Sequence, residues 1–145
     1  ELLDETGEKL RQVGSEFGAT TGRPRRCGWY DAFLVRYSAM INGIDSVALT
    51  KLDVLSKFEE IKICTGYEYN GKLLKSFPTD FERLDTSKPI YKTVPGWNVD
   101  ISTCSSYAEL PQATKDYLKI ISEESEIEIN IISVGPKRAQ TFFVS

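Results

Sequence analysis

Three stretches of this chain carry side chains whose types and spacing could do chemistry. The first is GATTGRPRRCGW, Gly18 to Trp29, which packs three arginines, two threonines and three glycines into twelve residues of a chain with a formal net charge of -3. Guanidiniums grip carboxylates and phosphates in bidentate fashion, threonine hydroxyls add short donors, and glycines let backbone amides approach an anion. Such a loop suits a small dicarboxylate or a nucleotide sugar-phosphate; an extended nucleic acid would want a broader positive surface. A solvated basic turn, or one paired with the chain's own acids, is the plainer alternative.

The second stretch is TKLD, Thr50 to Asp53, directly after the apolar run SVAL. A carboxylate here could accept paired hydrogen bonds from guanine N1-H and the 2-amino group, an edge that adenine does not present. The lysine stem could lie along the base, an arrangement that resembles the guanine-reading [NT]-K-x-D motif of GTP-binding proteins. A K-x-D on a surface loop also arises by chance, so four residues alone leave both readings open. The third stretch is SVGPKR, Ser133 to Arg138, after EINII. Glycine followed by proline allows a tight turn whose amides could point at a ligand oxygen, such as guanine O6; an ordinary strand-to-loop turn is the bland reading.

These stretches need elements to hold them. Leu3, Leu10, Val13 and Phe17 recur at helical spacing, with Asp4 as N-cap and Gly14 as stop, which predicts a first helix. DAFLVRYSAMING places Phe33, Leu34, Tyr37, Met40 and Ile41 on one helical face and ends at Gly43. SVALT reads as a short strand buried on both faces. EEIKICTGYEYNGKLLKSFP reads as a hairpin about Asn70-Gly71. From Pro78 to Pro111 the pattern weakens to irregular surface structure with one or two short strands, PIYKTV among them. LPQATKDYLKIISEES gives Ala113, Tyr117, Leu118 and Ile121 on a further helix; IEINIISVG and QTFFV follow as strands. Helices alternating with strands predict an α/β fold, part of a largely parallel sheet flanked by helices, with an added hairpin. All three chemistry-bearing stretches then sit where an element gives way to a loop, outside strand ends.

Composition narrows the function classes. With 145 residues, 41% hydrophobic and 27% charged, the chain fits a single domain. Its acidic balance argues against a general nucleic-acid or membrane binder, so an RNA-binding domain centred on RPRR fits poorly. No apolar run reaches the roughly 20 residues of a membrane span. There is no histidine, the commonest general acid-base group and metal ligand, and no G-x-x-x-x-G-K-[ST] phosphate loop. Cys27, Cys64 and Cys104 are odd in number and widely spaced, which predicts reduced thiols in a cytoplasmic protein. The start at ELLDETGEKL, without methionine, suggests a piece of something longer. Trp97 in PGW is expected as a buried turn residue.

Taken in order, DETGE, GSEFGATTGRPRRCGW, RYSAMING, ALTKLDVL, PGW, LPQAT and ISVGP resemble the C-terminal part of the adenylosuccinate synthetase family, from about Glu1 to Thr141. The resemblance implies a fold related to P-loop GTP-binding proteins. It also implies a GTP-dependent ligase that joins IMP and L-aspartate with magnesium, as a homodimer. By the same resemblance, Ala19, Thr20, Thr21, Gly22, Arg23, Pro24 and Arg25 form the aspartate-binding loop, Arg23 also meeting IMP and Arg25 also reaching GTP. Lys51, Leu52 and Asp53, with Ser133, Val134 and Gly135, become the GTP-binding segments. Pro24 departs from the arginine-rich versions of the loop, and Arg26 is left without a ligand, the arginine expected to tolerate change best. The family's phosphate loop, magnesium-binding aspartate and catalytic histidine have no counterpart here, so no catalytic or metal-binding residue is assigned and this chain alone is expected to be inactive. A non-catalytic nucleotide- or anion-binding module is the competing reading.

Overall fold

Local sequence signals set the ends of the helices. In the computed structural model, which describes residues 1–144, α1 (Glu5–Val13) begins where the Asp4 carboxylate accepts a hydrogen bond from Gly7 N at 3.0 Å and closes at Gly14. In α2 (Ala32–Asn42) Asp31 Oδ1 accepts from Leu34 N at 2.9 Å, and Gly43 ends the helix in the left-handed region. Each such cap contributes about 1 kcal/mol. The other elements are β1 (Tyr30–Asp31), β2 (Ser46–Leu49), β3 (Glu60–Tyr69), β4 (Lys72–Leu73), α3 (Phe81–Thr86), β5 (Lys88–Pro95), α4 (Gln112–Ser125), β6 (Glu128–Ser133) and β7 (Thr141–Phe143).

The expectation of a largely parallel sheet needs correction, because two mixed sheets form. In one, β3 pairs parallel with β1 but antiparallel with β4 and β5; in the other, β6 pairs parallel with β2 and antiparallel with β7. The physical reason lies in the turns. Asn70 and Gly71, at φ 50 and 74, reverse the chain after β3, and a 3-10 turn at Arg138–Gln140 reverses it after β6. The hairpin is therefore present, but β4 is only two residues long and the long ladder of β3 is with β5, from Glu60 opposite Pro95 to Glu68 opposite Lys88.

Two further expectations change. The strand in SVALT is not buried on both faces: β2 is an edge strand, its neighbour β6 lies on one side only, and Ala48 is exposed. The segment from Pro78 to Pro111 is more regular than its sequence suggests. It holds α3, capped where Asp80 accepts from Arg83 N at 2.8 Å, and the eight-residue β5, which includes PIYKTV.

The core joins both sheets to α4 through Leu52, Ile61, Ile63, Ile101, Ile121, Ile132 and Val134, all with almost no exposure. Burial of each such side chain contributes about 1.5–3 kcal/mol. Trp97 is buried as expected, its Nε1 donating to Ser56 Oγ at 2.8 Å. The apolar faces read for the first two helices are only half used: Leu10 and Phe33 are buried, whereas Leu3, Val13, Met40 and Ile41 are exposed. Cys27, Cys64 and Cys104 are free thiols. Among the described residues no helix is long and apolar enough to cross a membrane.

Candidate functional site

Strand register explains how TKLD and SVG come together. β2 and β6 lie side by side and parallel, with Leu49 opposite Ile132, so Thr50, just past β2, and Ser133, the last residue of β6, lie at the same carboxyl edge. That edge is where open α/β sheets place ligands. Each segment is pinned by its middle residue, since Leu52 and Val134 are both core side chains.

In the TKLD segment, Lys51 opens a 3-10 turn (Leu52–Lys57) at φ 60, a strained backbone conformation for a residue with a Cβ. Its ammonium donates to Gly14 O at 2.7 Å and to the Glu16 carboxylate. Asp53 is partly buried, and its Oδ1 is shut off from solvent with no hydrogen-bond donor. An acceptor left in that state costs about 1–3 kcal/mol, so a ligand N-H placed there would recover it.

The loop folds back on itself. Phe17 bridges Pro24 in antiparallel fashion, Gly18 N donates to Arg23 O at 2.8 Å, and Gly22 N donates to Gly18 O at 2.8 Å. Gly22 stands at φ 64, where a side chain would be strained. Thr21 Oγ1 accepts from Arg23 N at 3.3 Å. Among the described residues, the amides of Ala19, Thr20 and Thr21 and the guanidiniums of Arg23 and Arg26 make no hydrogen bond to the protein. Arg25 instead donates through Nη1 to Glu16 Oε2 at 3.0 Å, while Arg11 Nε holds the Arg25 carbonyl at 3.0 Å. One arginine is thus paired with an acid of the chain, as the plainer alternative has it, and the other two make no such pair among the described residues. The shared Lys51 hydrogen bond, then the Arg25 pair, hold the Glu16 carboxyl below the usual glutamate range against the opposing effect of burial.

The Ser133–Gly135 turn is self-satisfied. Ser133 Oγ donates to Gly135 O at 2.9 Å, and Val134 N donates to Gln140 O at 2.9 Å. The Gln140 side chain closes it further: its Oε1 accepts from Lys137 N and its Nε2 donates to Ser102 O.

A cleft of about 410 Å³ opens beside the first two segments, lined among others by Glu16, Arg26, Gly28, Thr50, Lys51 and Leu52. It brings the loop's second half and the start of TKLD to one wall. Arg23, Arg25, Asp53 and Ser133–Gly135 lie off that wall. Arg26 and Glu16, to which sequence reasoning gave no ligand, line it; the signal for Glu16 was an acid placed beside an arginine-rich turn. Among the described residues no cluster of three His, Cys, Asp or Glu side chains is placed to hold a metal.

Comparison with known proteins adds an independent line. A family model described as adenylosuccinate synthetase matches residues 1–142. The adenylosuccinate synthetase of Trichlorobacter lovleyi is 55% identical over 144 residues, covering 99% of this chain and 34% of that protein. That of Geobacter sulfurreducens is 52% identical, covering 100% of this chain and 34% of its own length. A solved structure of fully ligated adenylosuccinate synthetase from Plasmodium falciparum superposes with a TM-score of 0.95 at 41% identity, covering 100% of this chain and 35% of that one. The chain spans about a third of the length of these relatives.

Proposed function

The chain belongs to the adenylosuccinate synthetase family, and from that premise we propose that it is the guanine-reading and aspartate-clamping part of a GTP-dependent ligase. The full-length enzyme joins IMP to L-aspartate and releases adenylosuccinate, GDP and phosphate. The observation that carries this reading is the buried, undonated Asp53 Oδ1 beside the shared carboxyl edge of β2 and β6. Guanine supplies the missing donors at N1 and the 2-amino group, and adenine leaves the acceptor stranded. Lys51 lays its stem along the base, and the Gly135 amide, which makes no hydrogen bond among the described residues, faces O6.

The reaction proceeds in two stages. GTP phosphorylates the IMP 6-oxygen, which turns a poor leaving group into a good one; the amine of aspartate then displaces phosphate. Residues of this chain orient rather than transfer protons. Arg23 and Arg25, with the amides and hydroxyls of Ala19, Thr20, Thr21 and Gly22, hold the aspartate carboxylates and leave the amine free, while Pro24 only stiffens the loop. Arg23 also meets IMP, and Arg25 reaches GTP. The phosphate loop, the general base, the catalytic histidine and the magnesium ligands belong to the other two-thirds of the parent enzyme, so the chain alone does not complete the reaction. The parallel β2–β6 pair is then a piece of a sheet related to P-loop GTP-binding folds. The parent enzyme is a cytoplasmic homodimer.

The test is nucleotide selectivity in the full-length protein. Asp53→Asn exchanges an acceptor for a donor at the 2-position, so kcat/KM for GTP falls about 100-fold or more while xanthosine triphosphate, with a 2-oxo group, becomes the better substrate. Unchanged preference for GTP would remove the assignment.

A further inference from the structure

Glu16 lies outside every segment given a ligand above, yet it touches two of them. Its Oε2 accepts from Arg25 Nη1 at 3.0 Å, and its Oε1 accepts from the Lys51 ammonium. Its backbone is fixed as well, since Glu16 O accepts from Arg25 N at 2.9 Å and the next residue, Phe17, bridges Pro24. The Glu16 side chain is only 22% exposed, whereas those of Arg25 and Lys51 are 56% and 49% exposed. The carboxylate is therefore drawn in, with one oxygen committed to each cation, while both cations keep further donors facing outward. Among the described residues, Arg25 Nη2 and Nε make no hydrogen bond.

Half-exposed ion pairs contribute little to stability. What this arrangement does provide is geometry: it sets the separation of two cations from different elements and steadies Lys51 in its strained backbone conformation. We propose that Glu16 is a positioning residue that couples the guanine site to the aspartate clamp. The proposal rests on the functional reading above. A base stacked on Lys51 orders the Glu16 carboxylate, which pre-orders Arg25 for aspartate, and the converse must hold to the same degree because coupling between two binding sites is reciprocal.

The experiment uses the full-length enzyme with IMP present and reads GDP affinity by calorimetry with and without aspartate, alongside steady-state kinetics. In the wild type, aspartate tightens GDP about fivefold or more. In Glu16→Gln, which keeps the shape and loses the charge, that factor falls to about one, while kcat at saturation stays within about threefold. Glu16→Asp, one methylene shorter, reaches one cation at a time and loses the coupling too; it also serves if the glutamine variant does not fold. A merely structural role would lower kcat or thermal stability and leave the coupling intact. The proposal is overturned if the wild type shows no coupling, or if Glu16→Gln and Glu16→Asp couple as the wild type does. Failure of the functional reading looks different, because the wild type would then neither bind GDP nor make adenylosuccinate.

Discussion

In the turn after β6 almost every polar group is already spoken for: Ser133 on Gly135, Val134 on Gln140, and the Gln140 amide on Lys137 and Ser102. In the loop between α1 and β1 the reverse holds: among the described residues three amides and two exposed guanidiniums make no hydrogen bond, and a glycine at φ 64 is the pivot. A closed turn offers a ligand a fixed surface and costs nothing to order on binding. An open loop offers charge, and its ligand must supply the ordering. The first should fail through stability and shape when altered, the second through substrate affinity.

The largest effect expected on the open side is Arg23→Leu. Loss of a charge-assisted pair to a carboxylate costs about 2–4 kcal/mol, so the aspartate KM of the full-length enzyme should rise about 30- to 1000-fold, with thermal stability unchanged because the Arg23 guanidinium makes no hydrogen bond among the described residues and the backbone bonds of Arg23 survive the substitution. Arg26→Leu is the companion variant. Because Arg26 lines the cleft beside Lys51 and Leu52, it should disturb GTP more than aspartate. An aspartate KM within twofold of wild type for Arg23→Leu would mean the loop has another task.

On the closed side, Gly135→Ala comes next. A Cβ at this position would lie 2.4 Å from the Gln140 carboxamide carbon, and that amide cannot swing away without giving up its bonds to Lys137 and Ser102. The overpacking should cost about 1–3 kcal/mol in denaturant unfolding of the full-length protein and raise the GTP KM, leaving the aspartate KM alone. If stability were unaffected, the turn would be less closed than its hydrogen bonds imply.

The same contrast governs what could be read in the sequence. Helix ends were legible because a cap depends on residues three or four apart, and Asp4 and Gly43 do what their types require. The hairpin was legible for the same reason. The long partnership of β3 with β5 was not, since nothing local to Lys88–Pro95 says which strand it will meet, and the short α3 carried too few apolar repeats to stand out. At the site, residue types pointed to anion and base chemistry, but which arginine would be neutralised depends on where α1 ends. Gly14 and Ser15 turn the chain so that Glu16 faces both Arg25 and Lys51, a fact of three-dimensional packing. The isolation of Asp53 Oδ1 is likewise set by burial rather than by spacing.

Gly22→Ala sharpens the comparison with the same substitution in the opposite setting. Nothing lies within 4 Å of the place a Cβ would take, so the penalty is conformational, about 1 kcal/mol for φ 64. An exposed loop escapes such a penalty by relaxing, and the ligand must then restore the shape; the cost should surface as an aspartate KM raised about fivefold, with little loss of stability.

The smallest effect concerns pH. The folded-state pKa of Glu16 is lowered, chiefly by Lys51 and then by Arg25, so its ion pairs favour the folded state at any pH above the ordinary glutamate range. That contribution is lost as pH falls through the lowered value, because protonation removes the charge both cations face. The difference in unfolding free energy between wild type and Glu16→Gln should therefore be flat from pH 8 down to about 5 and vanish only below the normal glutamate range. For so exposed a network its size should stay at about 1 kcal/mol or less. A difference that shrank between pH 8 and 6 would point to another titrating group, and would show that the two cations are not held by this carboxylate alone.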